Sequence, residues 1–196
     1  MEMKFSDLAQ KISQSPITGK TTLIGVGGPG GSGKSTFAKY LQKAIPNSIL
    51  LHGDDFLEDG KHEDWWRQQE SQLLQPLIEG ESARWQRYDW DKKSWAEWNT
   101  TEPGGTVILE GVVCTRREWK KYLTYSIWVE APRKLRLERG LERDGQDALP
   151  KWKEWMREED EFITEQGNPA TFADLVVDGS GSISLFENGK FRIISS

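Results

Sequence analysis

The chain has 196 residues, a formal net charge of −5 and a single cysteine, Cys114. That length is the scale of one domain, 1–196, with enough chain for a real core. The acidic balance gives no attraction for nucleic acid or an anionic membrane surface, and one cysteine excludes an internal disulfide and suits a reducing compartment.

The opening residues hold no apolar run of signal type, and no stretch is long enough to span a bilayer. A soluble, cytoplasmic protein with no membrane or nucleic-acid partner is expected. Phe5, Leu8, Ala9 and Ile12 share a helical face, with Ser6 or Asp7 available as its cap. Pro16 and Gly19 release the chain into a first strand over 21–26. A glycine loop follows, and then a helix to about Ala44 with Phe37, Ala38, Leu41 and Ala44 at core-facing spacing. Pro46-Asn47 ends that helix, and 48–52 reads as a second buried strand running into Gly53-Asp54-Asp55-Phe56.

Residues 57–105 are polar and hold six of the ten tryptophans. One helix is expected there, from about 65 to 78, and the segment is read as an insertion over an acceptor site. Third and fourth strands follow at 106–111 and 125–130. A charged helix over 133–143 and a second helix bearing Trp152, Trp155, Met156 and Phe162 make 133–166 a lid and its following helix. A fifth strand covers 173–179. Alternating stretches around Glu187-Asn188-Gly189-Lys190 predict a C-terminal β-hairpin over 183–194. Apolar strands alternating with helices predict an α/β fold, a parallel five-stranded sheet with helices on both faces. Ligands in such sheets sit at the carboxyl ends of the strands.

The loop after the first strand reads G-x-x-x-x-G-K-S from Gly28. Its glycines let backbone N–H groups curl around a phosphate, where a Cβ would obstruct. The helix start adds unpaired N–H groups and the positive end of a dipole. Lys34 supplies a compact charge for β- and γ-phosphates, and the Ser35 hydroxyl can ligate Mg²⁺. Gly28, Gly30, Gly31, Ser32, Gly33, Lys34, Ser35 and Thr36 are thus the expected nucleoside triphosphate site. A glycine-rich turn that merely caps a helix is the plain alternative, but strand, loop, Lys-Ser and helix all stand in the required order.

Asp54 and Asp55 end the second strand, where a carboxylate can take a proton from an acceptor hydroxyl or hold Mg²⁺ through water; an Asx turn is the bland reading. Glu110 closes the third strand, where such folds place an acid that supports the metal. Arg136, Arg139 and Arg143 fall roughly on one helix face, and Arg139 and Arg143 are the candidates to clamp a transferring phosphoryl group. Pairing with Glu138 and Glu142 on a solvated face is the alternative. Tyr88 and Trp65 can stack a planar substrate while Asp64 or Asp89 binds its hydroxyls, although for individual tryptophans a small tryptophan-rich core or a dimer surface is the preferred reading. His52 and His62 lack partners at ligand spacing, so no zinc site is expected.

On these residues the chain resembles the uridine kinase and phosphoribulokinase group of P-loop kinases, which also holds pantothenate and nicotinamide riboside kinases. The resemblance covers about 21–179. It rests on Gly-Pro-Gly-Gly-Ser-Gly-Lys-Ser, Gly-Asp54-Asp55-Phe56, Tyr88-Asp89-Trp90, Ile-Leu-Glu110-Gly111, Arg136-Leu-Glu-Arg139-Gly-Leu-Glu-Arg143-Asp144 and Ala173-Asp174-Leu-Val-Val. It implies Asp54 as general base, Glu110 assisting the metal, Tyr88 at the nucleoside, Asp64 at the ribose and Arg143 on the ATP phosphates. The implied activity is ATP- and Mg²⁺-dependent phosphorylation of a hydroxyl on a small, nucleoside-like molecule. Two departures stand out. Gly145-Gln146-Asp147-Ala148 replaces a basic lid, leaving the clamp thinner or supplied by Lys151, Lys153 or Arg157. Asp91-Lys92-Lys93-Ser94-Trp95 replaces the His and Arg that usually follow the Tyr-Asp-aromatic motif, which bears on pyrimidine specificity. A nucleoside monophosphate kinase using Arg84 and Arg87, and a regulatory ATP-binding module, are the other readings. A homo-oligomer is compatible with all three.

Overall fold

The computed structural model describes residues 1–17, 19–58, 65–181 and 183–196, without the side chains of Trp65, Ile183 and Ser184. The chain opens with β1 (Glu2–Lys4) and α1 (Phe5–Ser13) and enters the sheet at β2 (Thr22–Gly27), which the glycine loop joins to α2 (Lys34–Ala44). Then come β3 (Ile49–His52), a 3₁₀ turn (Gly53–Phe56), and a helix built as α3 (Trp65–Gln69), a π segment (Glu70–Leu74) and α4 (Gln75–Glu79). A hairpin of β4 (Ala83–Asp89) and β5 (Ser94–Thr101) precedes β6 (Thr106–Glu110) and β7 (Tyr125–Glu130). The helix pair α5 (Arg133–Asp144) and α6 (Leu149–Glu165), then β8 (Leu175–Asp178), α7 (Ile183–Glu187) and β9 (Lys190–Ser195), complete the chain.

The main sheet has the order β1-β9-β8-β7-β2-β6-β3. Its five expected strands, β8-β7-β2-β6-β3, are parallel to their neighbours, and β9 and β1 extend it antiparallel. The second strand of the sequence is not beside the first: β6 lies between β2 and β3, pairing Leu23 with Val107 on one side and Leu51 with Leu109 on the other. Both faces are covered, so the strands read as unbroken apolar runs. Ile24, Val26, Ile127 and Val129 pack with Phe5, Leu8, Phe37 and Phe191 under α1 and α2. Leu23, Val107 and Leu109 pack with Leu73, Leu77 and Trp119 on the other face.

Three expectations are corrected. The hairpin over 183–194 is not formed, because 183–187 is helical and β9 takes β8 as its antiparallel partner instead. Neither Ser6 nor Asp7 caps α1, which starts at Phe5 with Lys4 at its N-cap and no side-chain cap bond. The 57–105 segment has the expected helix, as α3 to α4, but it is not the segment's one element: 83–101 folds as a two-stranded sheet, with Trp85 stacked on Phe56 of the β3 turn at 4.9 Å. Among the described residues no helix is long and apolar enough to cross a membrane.

Candidate active site

The glycine loop, the β3 turn and the end of β6 meet at the carboxyl edge of the sheet. Gly31 has φ +74, and a Cβ there would fall 2.5 Å from the Arg136 carbonyl oxygen, so only glycine fits the bend. Gly33, at φ 94, is the N-cap of α2. Two loop amides are already engaged: Ser32 N–H donates to the Pro29 carbonyl at 3.2 Å, and Gly30 N–H donates to Glu159 Oε1 at 2.7 Å. The N–H groups of Gly31, Gly33, Lys34 and Ser35 have no hydrogen-bond partner among the described residues. They make an anion cradle at a helix N-terminus. Ser32 turns inward, its hydroxyl buried and without a hydrogen-bond partner among the described residues.

Glu110 ties the metal-side candidates together. Its Oε2 accepts the Ser35 hydroxyl at 3.1 Å, and its Oε1 pairs with His52 Nδ1 at 2.6 Å. The pairing follows from register, since His52 lies opposite Glu110 in the β3–β6 ladder. Burial opposes the Glu110 charge, yet the His52 hydrogen bond and the Lys34 charge hold its carboxyl below the usual range. The same hydrogen bond raises the His52 imidazole against its own burial. Ser35 and Glu110 are oxygen donors of the kind a hard cation takes, and Mg²⁺ carried by a nucleotide needs only one or two from protein. Among the described residues no group of three or more His, Cys, Asp and Glu stands ready to hold a metal ion.

Asp54 opens to the cleft on its outer side. The protein around it withdraws bulk solvent, and this raises its carboxyl above the ordinary range, against the pull of Lys34, His52 and Arg143. Those same charges place Asp54, Lys34, Glu110 and Arg143 in one electrostatic group. Asp55 is raised by burial too, and the cations acting on it are His52 and Arg87. Gln69, fully buried, holds the turn by donating to the Gly53 carbonyl at 3.1 Å. From the hairpin, Trp90 Nε1 donates to the Asp54 carbonyl at 3.1 Å, and Trp95 Nε1 to Glu58 at 3.3 Å.

A family model described as the AAA domain matches residues 24–164. The chain belongs to the AAA domain family. Its fold is an α/β fold of the P-loop type. It superposes on a Bacillus stearothermophilus protein described as a possible uridine kinase with a TM-score of 0.63, over 88% of this chain and 96% of that one at 20% identity. At that identity the likeness is one of fold. Nicotinamide riboside kinase 1 of Rattus norvegicus is 49% identical over 39 residues, 20% of this chain and 20% of the relative, so the chain is matched to about a fifth of that protein's length.

Of the expected site residues in this AAA domain, Lys34, Ser35, Asp54, Glu110 and Arg143 come together. Arg139 lies on the loop itself: its Nη1 donates to the carbonyls of Gly31 and Gly179, at 3.1 and 2.8 Å, and so pins the loop to the end of β8. Tyr88 is buried at 3% exposure, edge-on to Trp90 and Trp95. Asp64 and the Trp65 side chain lie outside the described residues. Arg84 stacks over Trp98, and Arg87 is bound to Glu97 by two hydrogen bonds. Sequence reasoning placed Trp90 only within the Tyr-Asp-aromatic motif and missed the parts played by His52, Gln69 and Glu159. Only His52, immediately before the aspartate pair, carried a local signal, and it needed the strand register to be read.

Proposed function

We propose that this AAA domain is an ATP-dependent kinase that transfers the γ-phosphate of Mg·ATP to a hydroxyl of a nucleoside-like small molecule. The observation that carries the reading is the meeting of the glycine loop and the β3 turn at the carboxyl edge of the sheet, which sets the cleft-facing Asp54 carboxyl within electrostatic reach of Lys34. A base poised above the ordinary carboxylate range is better matched to an alcohol proton near neutral pH than a fully solvated aspartate. The amides of Gly31, Gly33, Lys34 and Ser35 and the Lys34 ammonium bind the phosphates, and Asp54 accepts the proton as the acceptor oxygen forms its bond to the γ-phosphorus and the bond to the leaving diphosphate breaks. Ser35 and Glu110 would hold Mg²⁺, which when bound neutralises charge on the β- and γ-oxygens. Arg143, held by two bonds to Asp144 at 2.7 and 2.8 Å, supplies a further cation at the transferring group.

The acids support a neutral or cationic acceptor over a phosphorylated one. Asp54 and Asp55 would face a monophosphate with like charge, and Arg84 and Arg87 are engaged by Trp98 and Glu97. The test is a screen of labelled ATP against nucleosides, other ribosides, nucleoside monophosphates and pantothenate. Transfer to a nucleoside or riboside but not to its monophosphate is expected. Asp54→Asn should bind ATP normally and lose about 10²- to 10⁴-fold in turnover. Equal turnover by Asp54→Asn and the parent removes Asp54 from the mechanism, and ATP binding without transfer to any acceptor leaves a regulatory nucleotide module.

A further inference from the structure

The mechanism above leaves one buried acid unused. Glu159 sits on α6, 129 residues from the loop amide it contacts. We propose that Glu159 is a positioning residue for nucleotide binding: it fastens the phosphate loop to the α5–α6 pair and so fixes the curvature that the phosphates meet. This inference rests on the nucleotide-binding half of the proposed function and does not require an acceptor.

Glu159 uses both carboxylate oxygens. Oε1 accepts the Gly30 N–H at 2.7 Å, and Oε2 accepts Arg136 Nη1 at 3.2 Å. The two side chains are 13% and 6% exposed. The loop is gripped by both helices. A Cβ on Gly30 would fall 2.9 Å from Glu159 Oε1 and 3.3 Å from the Trp152 ring, and a Cβ on Gly31 would fall 2.5 Å from the Arg136 carbonyl oxygen. A second ion pair, Arg133 with Asp160, joins α5 to α6 one turn away. Glycines between 28 and 33 leave this segment with the greatest backbone freedom in the chain, and a hydrogen bond to an ionised acceptor is the strong kind that can hold it. The cradle amides of Gly31 and Gly33 follow the anchored Gly30 directly along the loop, so the anchor acts on the phosphate seat without touching it. Burial raises the Glu159 carboxyl, and the Gly30 N–H, Lys34 and Arg136 oppose that shift.

The experiment is calorimetric titration of the full chain with ATP and with ADP, for the parent, Glu159→Gln and Glu159→Leu, with thermal melting of each. Gln keeps an oxygen for the Gly30 N–H; Leu keeps the bulk and removes the acceptor. Expected are ATP affinity within about threefold of the parent for Gln and a loss of about tenfold or more for Leu, the strength of a charge-assisted bond. Should Leu fail to fold because Arg136 is left buried and unpaired, the double variant Glu159→Leu with Arg136→Met removes both charges, and the same tenfold loss is expected of it. A folded Leu or double variant that binds ATP within threefold of the parent, or more tightly, overturns the proposal. So does a Gln variant as weak as Leu. A parent that binds ATP yet transfers it to no acceptor refutes the kinase reading and leaves the Glu159 comparison intact; a parent that binds neither nucleotide overturns both.

Discussion

Gly140 lies inside α5, where helix propensity alone favours alanine over glycine by about 0.8–1 kcal/mol. The structure reverses the sign. A Cβ at 140 would fall 2.3 Å from Cε2 and 2.4 Å from Cζ2 of Trp152. Ordinary carbon contacts are about 3.5–4.0 Å, so the ring or the helix must move by roughly 1 Å or more. The ring has nowhere to go. It is 3% exposed, its Nε1 is bonded to Asp144 at 2.9 Å, Trp155 packs edge-on at 5.8 Å, and the Gly30 side of the loop closes the remaining face. Overpacking of this kind costs about 1–3 kcal/mol, and an overlap this deep belongs at the upper end. Subtracting the propensity gain leaves Gly140→Ala less stable by about 2 kcal/mol. For a chain of this size that is a fall in Tm of about 4–8 °C. Urea titration followed by tryptophan fluorescence, with a thermal melt, measures it. A variant whose urea midpoint and Tm equal or exceed those of the parent refutes the packing argument and leaves propensity in charge. Because Trp152 and Arg143 share Asp144, the same variant should also bind ATP less tightly.

Trp90→Phe deletes the donor to the Asp54 carbonyl while keeping the ring. One hydrogen bond is worth about 1 kcal/mol, so a several-fold fall in kcat with unchanged ATP affinity is expected, and an unchanged kcat would sever the hairpin from the base. Because the protein around Asp54 withdraws solvent and raises its carboxyl, activity should fall on the acid side at a higher pH than an ordinary aspartate gives, and the residual activity of Asp54→Asn should lack that limb; steady-state rates across pH decide it. A raised folded-state pKa means that ionised Asp54 opposes folding once pH exceeds its unfolded value, so Asp54→Asn should melt at or above the parent Tm at pH 7. A clearly lower Tm contradicts the burial account. Burial also pushes the Cys114 thiol well above its usual range, and the residue is buried. A thiol reagent at pH 8 should leave the native chain unmodified and label it fully in urea, and rapid native labelling would contradict that placement.

The glycine loop, the five parallel strands and the acids at their ends were legible because each signal is local: a strand's β-branched run, a loop's glycines, an acid at the last apolar residue. The hairpin at 83–101 was hidden because its alternation is interrupted by a bulge between Gln86 and Tyr88. Its turn also carries no glycine, and Lys93 takes the left-handed conformation instead, at φ 50. The Asn188-Gly189 pair misled in the opposite direction. Gly189 does adopt a positive φ of 71, but its N–H closes back on the Phe186 carbonyl at 2.8 Å and ends α7. A glycine after a helix and a glycine between two strands answer the same steric need, and only the partner strand separates them.

Spacing along the chain was enough to fix the phosphate-loop chemistry, since eight consecutive residues fold on themselves and a helix start supplies the rest. The tertiary structure alone decided how distant groups share the site. Placing β6 between β2 and β3 sets His52 against Glu110, docking the hairpin brings Trp90 to Asp54, and folding α6 back delivers Glu159 to Gly30. The two arginines of α5 divide for the same reason: Arg139 meets backbone carbonyls of the loop and the β8 end, whereas Arg143, one turn further on, stands near enough to bear on Asp54. Residue type and helical spacing are alike for both, and the difference is made by which neighbour each guanidinium reaches once the sheet has closed.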